Sequence, residues 1–362
     1  MKEHYISLIN RLYSKCDCDA LVISAPSDTL YLTGYTSDDI TIVIADDKRY
    51  IYTDKRYTTE LTSLLGDIYE IIDGNNDDIF KLLCGKSRIG IDEDISYVAF
   101  CSLIGSFDGY SYDNLDSRRA LIPIHKVIAD MRAVKSDCEV EAIIRSQAIT
   151  DKAFSYILPY IKRGVTEIEI AARLDYFINS SGARTAFDTI VAFGENTACP
   201  HAHPTFRELS DGEFITMDFG AKLNGYCSDM TRTVALGNID AQMRRVYDSV
   251  LKANIIGIDA LREGITGRDA DKAARDYLTA VGLGEYFTHS LGHSVGIDIH
   301  EEPVLSPRYS APLPAGTVIT VEPGVYIAGK FGVRIEDMLK ITEDGAYNLT
   351  KSSKSLIIID GN

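Results

Sequence analysis

Residues 215–233 read ITMDFGAKLNGYCSDMTRT, and the middle of that stretch decides how the rest is understood. Asn224-Gly225 is the strongest short hairpin signal a sequence can carry. With these two as turn residues, Leu223 faces Tyr226 and Gly220 faces Asp229. Strand side chains alternate with period two, so Asp218 shares a face with Gly220. Both aspartates therefore point to one side, on diagonal positions roughly 7–8 Å apart. That separation suits two carboxylates gripping neighbouring cations roughly 3.5–4 Å apart. Met217, Phe219 and the TRTVAL continuation look buried on both sides, which argues against a solvated hairpin face.

The same logic recurs downstream. VITVEPGVYI (318–327) and FGVRIEDMLKI (331–341) are strand-like, and Ala328–Lys330 lies between them. A three-residue loop there places Glu322 opposite Glu336. Pro323 forbids one ladder hydrogen bond, so its strand should lie at an edge or be bulged. His293 sits in a glycine-rich turn, SLGHSVG, and supplies the only nitrogen of the set. Four carboxylates and an imidazole make a poor hydrophobic core but a good donor set for hard or borderline divalent cations. Acids among β-branched neighbours are costly to bury unless something positive meets them. One nitrogen among many oxygens favours manganese or cobalt over a structural zinc site. Arg334, two before Glu336, shares its strand face and can pair with a carboxylate of the site.

From Asp218 to Asp229 is 11 positions, to His293 a further 64, to Glu322 a further 29 and to Glu336 a further 14. In this order and spacing, and in the segments PHAHPT, MDFG, GYCSDMTRT, GHSVGIDIHEEP, VEPGVY and GVRIED, the chain resembles the dinuclear metallopeptidases of the pita-bread fold. That group includes methionine aminopeptidase, aminopeptidase P, prolidase and creatinase, and the segments are most similar to its proline-directed branch. The resemblance implies an α+β pita-bread catalytic domain preceded by a smaller α/β domain. It implies two divalent metal ions, manganese first, with cobalt or zinc as alternatives, held by Asp218, Asp229, His293, Glu322 and Glu336. It also implies a homodimer.

Five of the seven histidines fall in two short segments beside these positions. His201, His289 and His300 match non-ligand histidines that line the active site in aminopeptidase P and prolidase; His203 has no such match. The implied roles are proton relay by Glu322, stabilisation of the carbonyl oxygen by His201 and His289, and contact with the proline side or its carboxyl by His300. The expected reaction is hydrolysis of the bond preceding proline, releasing the N-terminal residue of Xaa-Pro peptides as an aminopeptidase P does. The alternatives are Xaa-Pro dipeptide hydrolysis, as by a prolidase, and, more remotely, an inactive binding module of the same fold. Retention of all five ligand positions opposes the module. Ser294 departs from the family, which often has glycine there.

The remaining sequence bounds this reading. A length of 362 residues suits two domains, and 45% apolar residues are enough for real cores. A net charge of −16 argues against nucleic acid and anionic membranes as partners. No run of ~18 apolar residues is present, and the mixed N-terminus lacks the apolar stretch of a signal peptide. With seven scattered cysteines, these features point to a cytoplasmic protein with reduced thiols.

Ile6, Ile9, Leu12 and Tyr13 fall near helical spacing. ALVIS, TIVIA, RYIYT and RIGID read as strands, with a helix expected near 97–103, and residues 1–125 as an α/β domain. Residues 126–362 carry the catalytic domain. Ser136 with Glu139, and Thr166 with Glu169, have the spacing of capping boxes. Helices are expected from Ser136, from Thr166 to about Ser180, over 242–262 and over 269–281. Two helices followed by strands thus occur twice, as in the pseudo-twofold family architecture.

Overall fold

The computed structural model describes residues 2–92, 98 and 120–360. The chain forms two compact units, Met1–Arg132 and Ala133–Asn362. The boundary expected at 125/126 falls inside the first turn of α5 (His125–Ala133), whose Ile128 and Met131 are buried and which clusters almost wholly with the first unit.

The first unit holds a mixed six-stranded sheet. Its strands are β1 (Ala20–Ile23), β2 (Thr41–Ala45), β3 (Lys48–Thr53), β4 (Glu70–Asp73), β5 (Arg88–Ile91) and β6 (Ala120–Pro123), in spatial order β4-β3-β2-β1-β5-β6. The helices α1 (Lys2–Lys15), α2 (Pro26–Thr33), α3 (Thr58–Leu65) and α4 (Asn76–Leu83) complete it. α1 buries Leu8, Ile9 and Leu12, while Ile6 and Tyr13 are only half-buried. β4 and β6 carry little strand signal in the sequence: each is short, and β4 lies half-exposed without an apolar alternation. The helix expected near 97–103 lies outside the described residues apart from Val98.

The second unit starts with α6 (Asp137–Ile157) and α7 (Glu167–Ser180). Glu139 accepts from the Ser136 N–H at 2.9 Å, and Glu169 accepts from the Thr166 N–H at 2.8 Å, which satisfies donors that a helix start leaves open. Strands β7 (Arg184–Thr185), β8 (Ile190–Phe193), β9 (Glu213–Phe219), β10 (Ala221–Leu223), β11 (Tyr226–Cys227) and β12 (Met230–Leu236) follow. Then α8 (Ala241–Ala260) and α9 (Gly267–Ala280) lead into β13 (Gly292–Ser294), β14 (Glu301–Leu305), β15 (Val318–Val321), β16 (Gly324–Ile327), β17 (Phe331–Arg334), β18 (Asp337–Ile341) and β19 (Ala346–Asn348). β20 (Ile358–Ile359) returns to pair in parallel with β12. Phe154, Ile157, Leu174 and Ile178 of the first helix pair pack on Val191, Ile215 and Met217. Val246, Val250 and Leu278 of the second pack on Ile319, Val321 and Leu339. Two helices covering a sheet therefore occur twice, the pita-bread α+β arrangement.

The two hairpins have the register that their turns dictate. Leu223 faces Tyr226 in β10–β11, and Phe219 faces Met230 in β9–β12, so one register runs through the gap and sets Gly220 across from Asp229. Only glycine fits at 220, because a Cβ there would lie 1.9 Å from the Ser228 carbonyl oxygen. In the second hairpin Val321 faces Asp337 and Gly324 faces Arg334, again one register. The ladder breaks between these pairs at Pro323, where β15–β18 and β16–β17 part into separate sheets. Glu322 and Glu336 stand opposite each other at that break. The Glu336 N–H reaches the Thr231 carbonyl at 3.2 Å, joining the hairpins.

His293 lies in strand β13, not in a turn. β13 is sandwiched between β14 and β15, with a bulge at His293/Ser294. Gly292 permits the close approach, since a Cβ there would meet the Thr320 carbonyl oxygen at 2.0 Å.

Candidate active site

A cleft of about 1290 Å³ in the second unit is lined by all nine residues singled out above: Asp218, Asp229, His293, Glu322, Glu336, His201, His289, His300 and Arg334. Donor atoms of Asp229, His293 and Glu336 lie within 4.8 Å of one another. His293 Nε2 is 3.6 Å from Asp229 and 3.4 Å from Glu322. Its Nδ1 lies 3.1 Å from the Ser294 carbonyl, which can only accept, so Nδ1 carries the proton and Nε2 presents a lone pair to the cleft.

Charge is unbalanced in this cluster. Burial, then the neighbouring carboxylates, hold Asp229 and Glu336 well above the ordinary carboxylate range. Burial, with Asp218 adding to it against Arg334, lifts Glu322 to about 8. Burial also pushes His293 down to about 4, so its imidazole is neutral. Asp218 Oδ1 and Glu336 Oε1 are buried with no hydrogen-bond partner among the described residues. Acids that resist ionisation, orphaned carboxylate oxygens and a neutral imidazole lone pair fit a divalent-cation centre.

Among the described residues, Arg334 is the one guanidinium inside the cluster. Its Nη2 donates to Asp218 at 2.6 Å, its Nη1 to the Tyr326 hydroxyl at 2.9 Å, and its Nε to Thr231 at 3.0 Å. Because the Tyr326 hydroxyl accepts from Arg334, its own proton is free for His289 Nε2, 2.9 Å away. His289 Nδ1 faces the Ser290 carbonyl at 2.8 Å. Both nitrogens of His289 are thus engaged inside the protein, and burial and Arg334 push its pKa to about 4. The expected donation from His289 to a substrate carbonyl has no free N–H behind it. His201 is exposed in the cleft, and its ring has no hydrogen-bond partner among the described residues. His300 stands edge-on to His293 with ring centroids 4.3 Å apart.

Besides Tyr326, three residues escaped the sequence reading. Thr320, fully buried, donates to Glu322 at 3.2 Å and accepts from the His293 N–H at 3.0 Å. Thr231, equally buried, donates to Glu336 at 2.9 Å. Both hydroxyls hold carboxylates in orientation. The third is Arg308, an exposed cleft residue whose guanidinium makes no hydrogen bond or ion pair among the described residues. Arg275 also lines the cleft but is spent on Asp271 and on the Phe287 and His289 carbonyls.

Comparison with known proteins agrees with this geometry. The profile of metallopeptidase family M24 matches residues 141–343, and that of the creatinase/prolidase N-terminal domain matches residues 7–134. An Xaa-Pro dipeptidase of Pyrococcus furiosus is 33% identical over 359 residues, covering 99% of this chain and all of that one. Among solved structures, an Xaa-Pro dipeptidase from Bacillus anthracis superposes with a TM-score of 0.92 at 35% identity, over 98% of this chain and 100% of that one. An X-Pro aminopeptidase from Thermotoga maritima does so with a TM-score of 0.88 at 34% identity, over 96% and 100%. With both profiles matched in order, and full-length relatives above 30% identity, the chain belongs to metallopeptidase family M24.

Proposed function

We propose that this chain hydrolyses the peptide bond preceding proline and prefers Xaa-Pro dipeptides. Hydrolysis rests on one observation above all, the cleft in which buried, charge-starved carboxylates converge on a neutral histidine. The dipeptide preference moves away from the aminopeptidase expectation. It is supported by full-length relatives named Xaa-Pro dipeptidases and by Arg308, a free cation suited to the carboxylate of a C-terminal proline.

Asp218, Asp229, His293, Glu322 and Glu336 would hold two divalent cations, manganese first, with cobalt or zinc as alternatives. When bound, such a pair polarises a carbonyl and activates water at neutral pH. Glu322, steadied by Thr320 and ionised beside the cations it would hold, takes the proton from the attacking water and returns it to the leaving nitrogen. His201 donates to the carbonyl oxygen. His289, through Tyr326, holds Arg334 against Asp218. His300 meets the proline side. Proline has no N–H and a fixed φ, so the apolar wall of Ile299 and Val304 accepts its ring with no donor left unpaired. The homodimer implied by the resemblance and the cytoplasmic location expected from the composition belong to this reading and are checked by sedimentation and cell fractionation.

A second reading, the aminopeptidase, is favoured by the cleft volume of about 1290 Å³, which exceeds the roughly 300–1,000 Å³ of ordinary small-ligand sites. The deciding measurement is kcat/KM on Xaa-Pro, Xaa-Pro-Yaa and Xaa-Ala at one metal concentration. Xaa-Pro should be fastest. Arg308→Leu should lower its kcat/KM by about 10–100-fold, the worth of one charge-assisted hydrogen bond, and leave Xaa-Pro-amide unaffected. Faster tripeptides would restore the aminopeptidase reading, and equal rates on Xaa-Ala would overturn the proline preference.

A further inference from the structure

Lys135 lies outside the cleft, and so does its partner. Its ammonium sits 3.0 Å from Glu301 Oε2, with the two side chains 1% and 7% exposed. A buried ion pair of this kind is weak evidence for stability, because well-packed apolar residues often replace it without loss; what such a pair can supply is a unique local conformation. The conformation here is the loop between His293 and His300. Residues 295–301 wrap the Glu301 carboxylate, whose Oε1 accepts from the Asp298 N–H at 3.1 Å. Gly296 lies so near that a Cβ would stand 2.5 Å from Glu301 Oε2. The Gly296 carbonyl in turn accepts from the Cys227 N–H at 2.7 Å, tying the loop to the hairpin that leads to Asp229. Lys135 is itself anchored by its backbone N–H to the Gly316 carbonyl at 3.1 Å.

We propose that Lys135, acting through the carboxylate of Glu301, is a positioning residue that sets the direction of His300 in the cleft. Glu301 directly follows His300, so the lysine fixes the backbone that aims the imidazole. The inference rests on the reading that His300 meets the substrate.

The test is a double-mutant cycle on Xaa-Pro hydrolysis. Lys135→Met should lower kcat/KM by about 10–100-fold, as removal of a supporting partner does, with metal content unchanged by elemental analysis. Lys135→Arg, which keeps the charge, should recover most of the loss. In a His300→Ala background the Lys135→Met change should cost less than about threefold, because the group it aims is gone. An equal loss in both backgrounds, or no loss in either, overturns the proposal. If Lys135→Met does not fold, Glu301→Gln, which keeps the shape and removes the charge, runs the same cycle. A silent His300→Ala instead overturns the role of His300, a signature distinct from additive losses.

Discussion

Thr320 donates to one oxygen of Glu322, which orients the carboxylate proposed to relay the proton, and burial lifts that carboxyl to about 8 when no cation is bound. Glu322→Gln keeps the shape and one ligand oxygen but cannot carry the proton. Its kcat should fall by at least ~10² with the fold and the metal retained. An unchanged kcat in the fully metallated variant would remove Glu322 from the mechanism. At this scale the convergence of these five residues and Arg334 on one cleft was legible, because acids set among β-branched residues are too costly to bury unless a cation meets them. The buried hydroxyls of Thr231, Thr320 and Tyr326 were not. Nothing local distinguishes a strand threonine that orients a carboxylate from one that merely packs. The distinction lies in contacts such as Thr231 with Glu336, more than a hundred positions away. His289 misled for a related reason: its cleft position is real, but its nitrogens are consumed by Tyr326 and Ser290.

The elements that carry the acids are hairpins, and their turns made the registers readable in advance. Asn224-Gly225 and the three-residue loop at Ala328–Lys330 each fix which residues face one another, and the observed pairings follow. β13 was hidden because Gly-His-Ser carries no β-branched or alternating signal; its partners on both sides, not its propensity, make it a strand. Close backbone approach is what the hairpin glycine at 220 supplies, so Gly220→Ala must push the facing Ser228–Asp229 segment away from the β9–β10 strand. That variant should lose roughly 1–3 kcal/mol of stability, as overpacked sites do, and should lose metal as Asp229 shifts. Calorimetry with elemental analysis checks both, and a fully metallated variant with native melting would show that the strand gives way without moving Asp229.

For the second unit as a whole, four carboxylates facing one arginine make the folded state depend on cations. In chelator-stripped protein Asp229, Glu322 and Glu336 retain protons that the unfolded chain releases. Those three acids bind more protons in the folded state up to about 8, the value for Glu322, but below about 6.5 the buried neutral His289 and His293 offset them, so the net excess is carried by the window from about 6.5 to about 8. Stability should therefore fall as pH rises through that window. Manganese or cobalt, which takes the ionised forms, should remove the slope and add about 2.7 kcal/mol at a hundred times its Kd. Melting curves of stripped and loaded protein at pH 5 and 8 decide the matter, and a pH-independent stripped protein would contradict it. The donors are strung from Asp218 to Glu336 over four separate segments. On the proposed ligand set, a cation pair gripping them would be a cross-link in the polymer sense, a reversible staple whose worth grows only slowly with the length of chain it closes. The supply of the ion would then govern how long the molecule endures as well as how fast it works.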